Sequence, residues 1–250
     1  MSRLLRFEFD KLLRRKSFYI ITAIAAGFVV LGAVSVNLLI SMKDSIENFD
    51  VSNLMNYSGC RFASEAISTS NFTILSGIFI ALLVCSENDD GTIKNIYARG
   101  YGRTPVYIGT YISSLCGAVI MYFVSVMAGF IIGTVFWGTG DIGNSLTSIA
   151  TQVVVVLAYH ALFFMLSAVI GRNGFAIAAT IVIPMVVSLL LSLIDNFAKA
   201  VSFNTSDYWI ESILTKAING SDTATCIVAS VIYAAVFFAV GLVINRKKQV

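Results

Sequence analysis

Few side chains in this sequence are placed to do chemistry, and they fall in two settings. His160, the only histidine, lies in an unbroken apolar stretch at about 148–170. An ionisable group in such surroundings is a default candidate for proton relay or substrate contact. The other apolar stretches offer no acid or base to pair with it, so a neutral, hydrogen-bonded structural histidine is expected instead. Cys60, Cys85, Cys116 and Cys226 are widely scattered. They have neither metal-ligand spacing nor the pattern of a disulfide framework and read as packing residues. The sequence contains no HExxH, no GxSxG and no G-x-x-x-x-G-K-[ST]. Zinc hydrolysis, a serine nucleophile on a tight elbow and a P-loop phosphate cradle therefore all lack their residues. Asn-x-Ser/Thr occurs at Asn56, Asn71, Asn204 and Asn219, a pattern short enough to arise by chance.

The second setting is a polar island at 87–103, ENDDGTIKNIYARGYGR, between two long hydrophobic runs. Its acids come first, its bases last, and Gly91, Gly100 and Gly102 punctuate it. The composition is that of a water-facing segment at a membrane surface. From Thr92 to Arg99 it has the makings of about two helical turns. Asp89 and Asp90 would lie near the N-terminal dipole end, Arg99 near the C-terminal end, and Gly100 is a natural stop. Ile93, Ile96 and Tyr97 then share one face, with Lys94 and Arg99 beside it. Such a helix suits docking into a groove on a partner; an ordinary solvated loop has the same composition.

The elements that carry these residues follow from composition. With 250 residues, 57% of them hydrophobic, and a mean hydropathy of +0.84, the chain is too apolar for a soluble domain. The 12% of residues that are charged cluster between apolar runs long enough to cross a bilayer. The runs are continuous rather than alternating, which specifies helices and not a barrel. Six are expected, at about 18–41, 71–86, 105–137, 148–170, 175–194 and 224–244, in an all-α polytopic membrane protein that forms a single transmembrane domain over 1–250. Bases gather at 3–16, 94–103, Arg172 and 246–248, while the alternate segments keep only Lys43, Arg61, Lys199 and Lys216. That asymmetry predicts that both termini and the island are cytoplasmic. It also accounts for the net charge of +3 without nucleic acid as a partner.

Residues 1–17 read as an amphipathic, basic helix, with Leu5, Phe9, Leu12 and Lys16 on one stripe and Arg3, Arg6, Asp10 and Arg14 on another. It is expected to lie in the headgroup layer; a solvated, topogenic tail is the plainer reading. Glu8, Asp10 and the length of the following apolar run argue against a cleavable signal. Residues 43–70 read as a polar, acidic outside loop, with partial helix as the alternative. Gly129 and Gly133 form a GxxxG face suited to close packing with another helix, including one of a second subunit. Pro184 should kink the fifth span. The outside segment 195–223 places Trp209, Ile213 and Lys216 or Ala217 at helical spacing, as in a short helix lying on the outer leaflet.

The order acidic residue, Gly-Thr-Ile-Lys-Asn, then Gly-x-Gly-Arg, set between the second and third hydrophobic segments, resembles the cytoplasmic loop of ABC-2 type transporter permeases. Glu87, Gly91, Thr92, Lys94 and Arg103 match that pattern; members often read Ser-Arg at Gly102–Arg103 and carry Lys at the position of Thr110. The resemblance implies that loop 87–104 holds a coupling helix gripped by a separate ABC ATPase subunit, with Ile93, Ile96, Tyr97 and Arg99 joining the matched residues in the contact. ATP and Mg would then bind the partner and no cofactor this chain. It also implies a second permease subunit, an N-terminal elbow helix, extracellular helices between spans five and six, and a multi-pass location in a bacterial cell membrane. The cargo would be a peptide antibiotic, lipid or similar amphipathic molecule, as in antimicrobial-peptide export or immunity. An intramembrane enzyme would need paired acids, a nucleophile or a metal site within the spans, and an ion-coupled carrier or channel would need charged or broken ones. The absence of Asp, Glu, Lys and Arg from the expected spans counts against ion coupling.

Overall fold

The computed structural model describes residues 2–42, 57–197 and 204–247. Lys43, Asp44, Glu47, Asp50, Asn56, Lys199 and Lys248 lie outside them. Among the described residues every regular element is helical. In chain order they are α1 (Ser2–Arg14), α2 (Lys16–Ser41), α3 (Gly59–Thr69), α4 (Phe72–Asp89), α5 (Thr92–Ala98) and α6 (Arg103–Trp137). Then come α7 (Ile142–Ile170), α8 (Asn173–Phe197), a single 3-10 turn at Ser206–Tyr208, α9 (Ile210–Ile218) and α10 (Thr223–Lys247). Six of them, α2, α4, α6, α7, α8 and α10, are long and apolar enough to cross a membrane.

Local signals set the boundaries. The Asp141 carboxylate accepts a hydrogen bond from the Gly143 amide at 3.0 Å, capping α7, which stops at Gly171 in the left-handed region (φ 71°). Asn71, with φ 49°, makes the corner from α3 into α4. Asn is one of the few residues with a side chain that tolerates this conformation. The second span differs from expectation in length. α4 does not stop at Ser86 but runs on to Asp89, so Glu87 belongs to its last turn and not to a loop.

α7 is the centre of the bundle, packed by α10, α4, α9, α8 and α3. Tyr159, Leu162, Phe163 and Phe164 are at most 3% exposed there. Lipid is as apolar as these side chains, so close packing and internal hydrogen bonds hold the spans together more than hydrophobic exclusion does. Near the start of α7, buried Gln152 donates to the Ser64 carbonyl of α3 at 2.9 Å and to the Ser148 hydroxyl at 3.1 Å. Its amide oxygen lies 3.2 Å from the Tyr122 hydroxyl of α6. Ser148 in turn lies 2.6 Å from the Ala217 carbonyl at the end of α9. Gln152 and Ser148 thus tie four helices at this end.

Three expectations change on folding. The GxxxG face of α6 is occupied by α3 of the same chain: a Cβ on Gly133 would sit 2.9 Å from Gly59 Cα, and one on Gly129 would sit 3.0 Å from Ala66 Cβ. Gly129 and Gly133 are therefore filled intramolecularly and are not open to a second subunit. α9 does form, but Ile210, Ile213, Leu214 and Ala217 are buried against α7 and α10 instead of lying on a lipid leaflet. The covered stripe of α1 is Leu4, Glu8 and Leu12, rotated from the stripe of Leu5, Phe9, Leu12 and Lys16, and it packs along α6 at Gly109 and Gly117. α6 is 35 residues long, about 50 Å against a hydrocarbon core of about 30 Å. It is therefore long enough to support α1 outside the core and still cross it.

Candidate functional site

Four pieces of the chain meet at the end of the bundle that carries the polar island: α1, the last turn of α4, the short helix α5, and the start of α6. Gly91, with φ 66°, reverses the chain between α4 and α5, and Gly100, with φ 85°, releases it. α5 spans Thr92–Ala98 with Arg99 at its C-cap, close to the expected bounds. The acids before it act elsewhere. The Asp89 carboxylate accepts from the Asn173 amide at 3.0 Å, so it caps the start of α8. Ile93, Ile96 and Tyr97 share a face as expected, and that face is half-covered by the chain's own body. The outer edge, Thr92, Lys94, Asn95, Ala98 and Arg99, is exposed.

Beneath α5 the packing is open. A cavity of about 300 Å³ lies on one side, walled by Glu87, Lys94 and Tyr97 with Tyr107, Arg172 and Asn245. On the other side a groove of about 320 Å³ separates α5 from α1, between Ile96, Arg99 and Thr92 and the facing Phe7, Lys11 and Arg15. Arg103 lines a third recess with Lys94 and Tyr97. The expected residues Glu87, Gly91, Thr92, Ile93, Lys94, Ile96, Tyr97, Arg99 and Arg103 are therefore brought together, whereas Gly129 and Gly133 lie far along α6. With cavities on two sides, α5 meets the body chiefly through the half-covered Ile93, Ile96 and Tyr97 and through its root at α4.

The densest interactions here involve residues that the island does not contain. Lys11 Nζ is 2.6 Å from Glu87 Oε1 and 3.3 Å from Glu8 Oε2, one ammonium between two carboxylates. Glu87 is 7% exposed and Glu8 1%. Arg15 donates to the Leu82 carbonyl at 2.7 Å and to the Ser86 hydroxyl. Burial raises the pKa of Glu8, with Lys11 opposing and the charge of Glu87 adding to the rise. Burial likewise lowers that of Arg15, against the pull of Glu87, Asp90 and Glu8. An arginine stays charged regardless. Glu8 Oε1 has no hydrogen-bond partner among the described residues. The cluster fastens α1 to the end of α4 by contacts that break only at the cost of a stranded buried charge. Its sequence signal is Glu8, four residues from both Leu4 and Leu12 and so in the middle of an apolar stripe, with Lys11 and Arg15 alongside.

His160 is 1% exposed, and its Nε2 lies 2.8 Å from the Ser114 hydroxyl. That hydroxyl is also 3.0 Å from the Tyr111 carbonyl. A proton on Nε2 satisfies both contacts at once, because the serine then accepts from the imidazole and donates to the carbonyl. Tyr111 and Phe164 pack against the ring. Among the described residues, no group of three or more His, Cys, Asp or Glu side chains is arranged to hold a metal ion.

The family model described as ABC-2 family transporter protein matches residues 4–195, from α1 to within the last turn of α8. No curated protein matches the chain.

Proposed function

We propose that this chain, which belongs to the ABC-2 transporter family, couples ATP hydrolysis on a separate subunit to cargo movement through α5. As a member, it is a multi-pass membrane protein and the permease component of an ABC transporter, a transport subunit and not itself an enzyme. The finer reading is the following. A separate ATPase binds ATP and Mg and grips the exposed edge of α5, at Lys94, Asn95, Ala98 and Arg99. Ile93, Ile96 and Tyr97 support that edge from within. A second permease copy or relative completes the pathway, the termini and residues 87–104 face the cytoplasm of a bacterial cell, and transport runs outward. The cargo is amphipathic or hydrophobic, a peptide antibiotic or a lipid, as in export or immunity.

The observation that carries this reading is the mounting of α5. The short helix rests over two cavities, and its root, Glu87, is ion-paired through Lys11 to α1. Force applied to α5 therefore moves α4 and α1 together instead of dissipating in a packed core. The test is co-purification of the permease with an ATPase encoded alongside it. Ala98→Arg places a long charged side chain on the exposed edge, outside every span, so the permease should insert at wild-type level. ATPase recovery should fall at least about tenfold, the scale of a disrupted interface anchor. Ile96→Asp, on the half-covered face, should weaken recovery as well. Undiminished recovery with transport intact in both variants would reduce residues 87–104 to a simple connection.

A further inference from the structure

The last turn of α4 carries more than the root of α5. Its Asp89 carboxylate accepts from the first amide of α8, that of Asn173, at 3.0 Å. On the same stripe of α4, at steps of four residues, stand Cys85, Ala81 and Gly77, all buried. Cys85 and Ala81 form one buried cluster with Ala176 of α8. A Cβ on Gly77 would lie 3.0 Å from the Thr180 hydroxyl. Small residues at this spacing bring two helices to close approach. α4 and α8 therefore meet along one seam over residues 77–89, about 18 Å of α4. The rest of α8 is held differently. Its buried residues are Ala176, Thr180 and Pro184, again at steps of four, and none from 185 to 197 is buried. Pro184 has no amide to offer the Thr180 carbonyl, so the helix bends most easily where the seam ends. Beside that point a cavity of about 470 Å³ separates α8 from Tyr159 of α7 and Leu214 of α9. Farther out, Asp195 accepts from the amides of Thr205 and Ser206 at 2.8 and 2.7 Å.

We infer that α4 and the inner half of α8 move as one lever, that Asp89 is the positioning residue fixing α8 to the turn that bears α5, and that the outer half of α8 swings at Pro184 beside the cavity. The inference rests on the coupling reading above. Between Asp89 and α5 stand Asp90 and Gly91 and nothing else, so a displacement of α5 reaches the seam within one turn. Close-packed small residues give α8 little room to slide along α4, and a packed contact passes strain on instead of absorbing it. Past Pro184 the buried stripe ends, and the displacement becomes a change of angle in a helix half that no buried contact opposes.

The permease and the ATPase encoded alongside it are reconstituted together in nanodiscs, with bimane attached at Met185→Cys, a position 66% exposed just past the bend, in a Cys116→Ser background. Trapping with ATP and vanadate should shift the bimane emission. Asp89→Ala should remove at least about half of that shift while ATPase recovery stays at the wild-type level. Asp89→Asn, whose amide oxygen can still accept from Asn173, should retain it. A capping role alone would lower the melting temperature of Asp89→Ala and leave its nucleotide-driven shift unchanged. The second arm removes no cap. Ala176→Cys, joined to the native Cys85 by copper phenanthroline in air, should keep vanadate-sensitive ATP turnover within about twofold of the reduced sample, because helices that move together lose nothing by being linked. A full shift in Asp89→Ala, no shift in the reporter complex, arrest of turnover by the link, or a link that does not form would overturn the lever. Undiminished ATPase recovery together with a full shift in Ala98→Arg would instead leave the lever standing and remove the exposed edge of α5 as the grip.

Discussion

Glu8 and Glu87 differ in how readily a sequence reveals them. Glu87 stands beside Asp89 and Asp90 in a polar run, and so reads as solvated, yet α4 continues through it and Lys11 covers it. Glu8 reads as part of a charged helix because the stripe of Leu5, Phe9 and Leu12 is a plausible alternative to that of Leu4, Glu8 and Leu12. Only the α6 surface at Gly109 and Gly117 decides between them. The two carboxylates predict an order of damage. Lys11→Met strands both and should lower stability by ~3 kcal/mol, whereas Glu8→Gln leaves Lys11 paired with Glu87 and should cost less than about 1 kcal/mol. The pKa of Glu8 is raised in the folded protein from an ordinary 4.5. Its contribution to stability is therefore complete below that value and is lost as pH rises through the folded-state pKa. The melting temperature of the wild type should fall more between about pH 5 and pH 8 than that of Glu8→Gln. Thermal unfolding of the purified variants checks both; parallel pH profiles would show that Glu8 carries no such linkage.

At the scale of elements, spans and short helices are legible for different reasons. The six long helices follow from apolar length alone, and α5 follows from Gly91, Gly100 and the spacing between them. The partner of a helix face does not follow. Gly129 and Gly133 advertise close approach without saying to what, and α3, the helical part of the acidic outside segment, is the answer. α9 has the periodicity of a surface helix, but α7 and α10 leave room for it inside the bundle. Gly133→Val should therefore act as overpacking within one chain, costing about 1–3 kcal/mol and lowering the melting temperature. Subunit stoichiometry, measured by light scattering in detergent, should not change. A variant that melts like the wild type but comes apart into single permeases would return this face to an intersubunit role. The same limit explains the candidate site: the bounds of α5 are legible in the island, while Lys11, Arg15 and Glu8, which hold its root, lie about seventy residues away in sequence.

The whole molecule has two unlike ends. One gathers the bases Lys11, Arg15, Lys94, Arg99 and Arg172 around the cavities near α5, against the acids Glu87 and Asp90. The other gathers Glu65, Asp141, Asn144 and Asn219 around a polar recess of about 520 Å³, with Arg61 its one base among the described residues. The charge asymmetry along the sequence thus has a counterpart in the folded object, and by the positive-inside bias it predicts a cytoplasmic α5 end. Cysteine placed at Lys94 should resist an impermeant maleimide in intact cells and react after lysis, while cysteine at Asn144 should react in both. The reverse pattern would invert the topology.

The ties between α1 and α4 also impose a timetable. Synthesis delivers Lys11 and Arg15 first, and their partners Leu82, Ser86 and Glu87 only after a further 67 to 76 residues. Until α4 leaves the ribosome, the basic groups of α1 have none of these acceptors, and α2 enters the bilayer with a free cationic anchor at its start. Docking of α1 can therefore follow insertion of the second span but cannot precede it. Nascent chains arrested before Ser86 should leave α1 open to protease, and chains arrested with both α4 and α6 inserted should protect it.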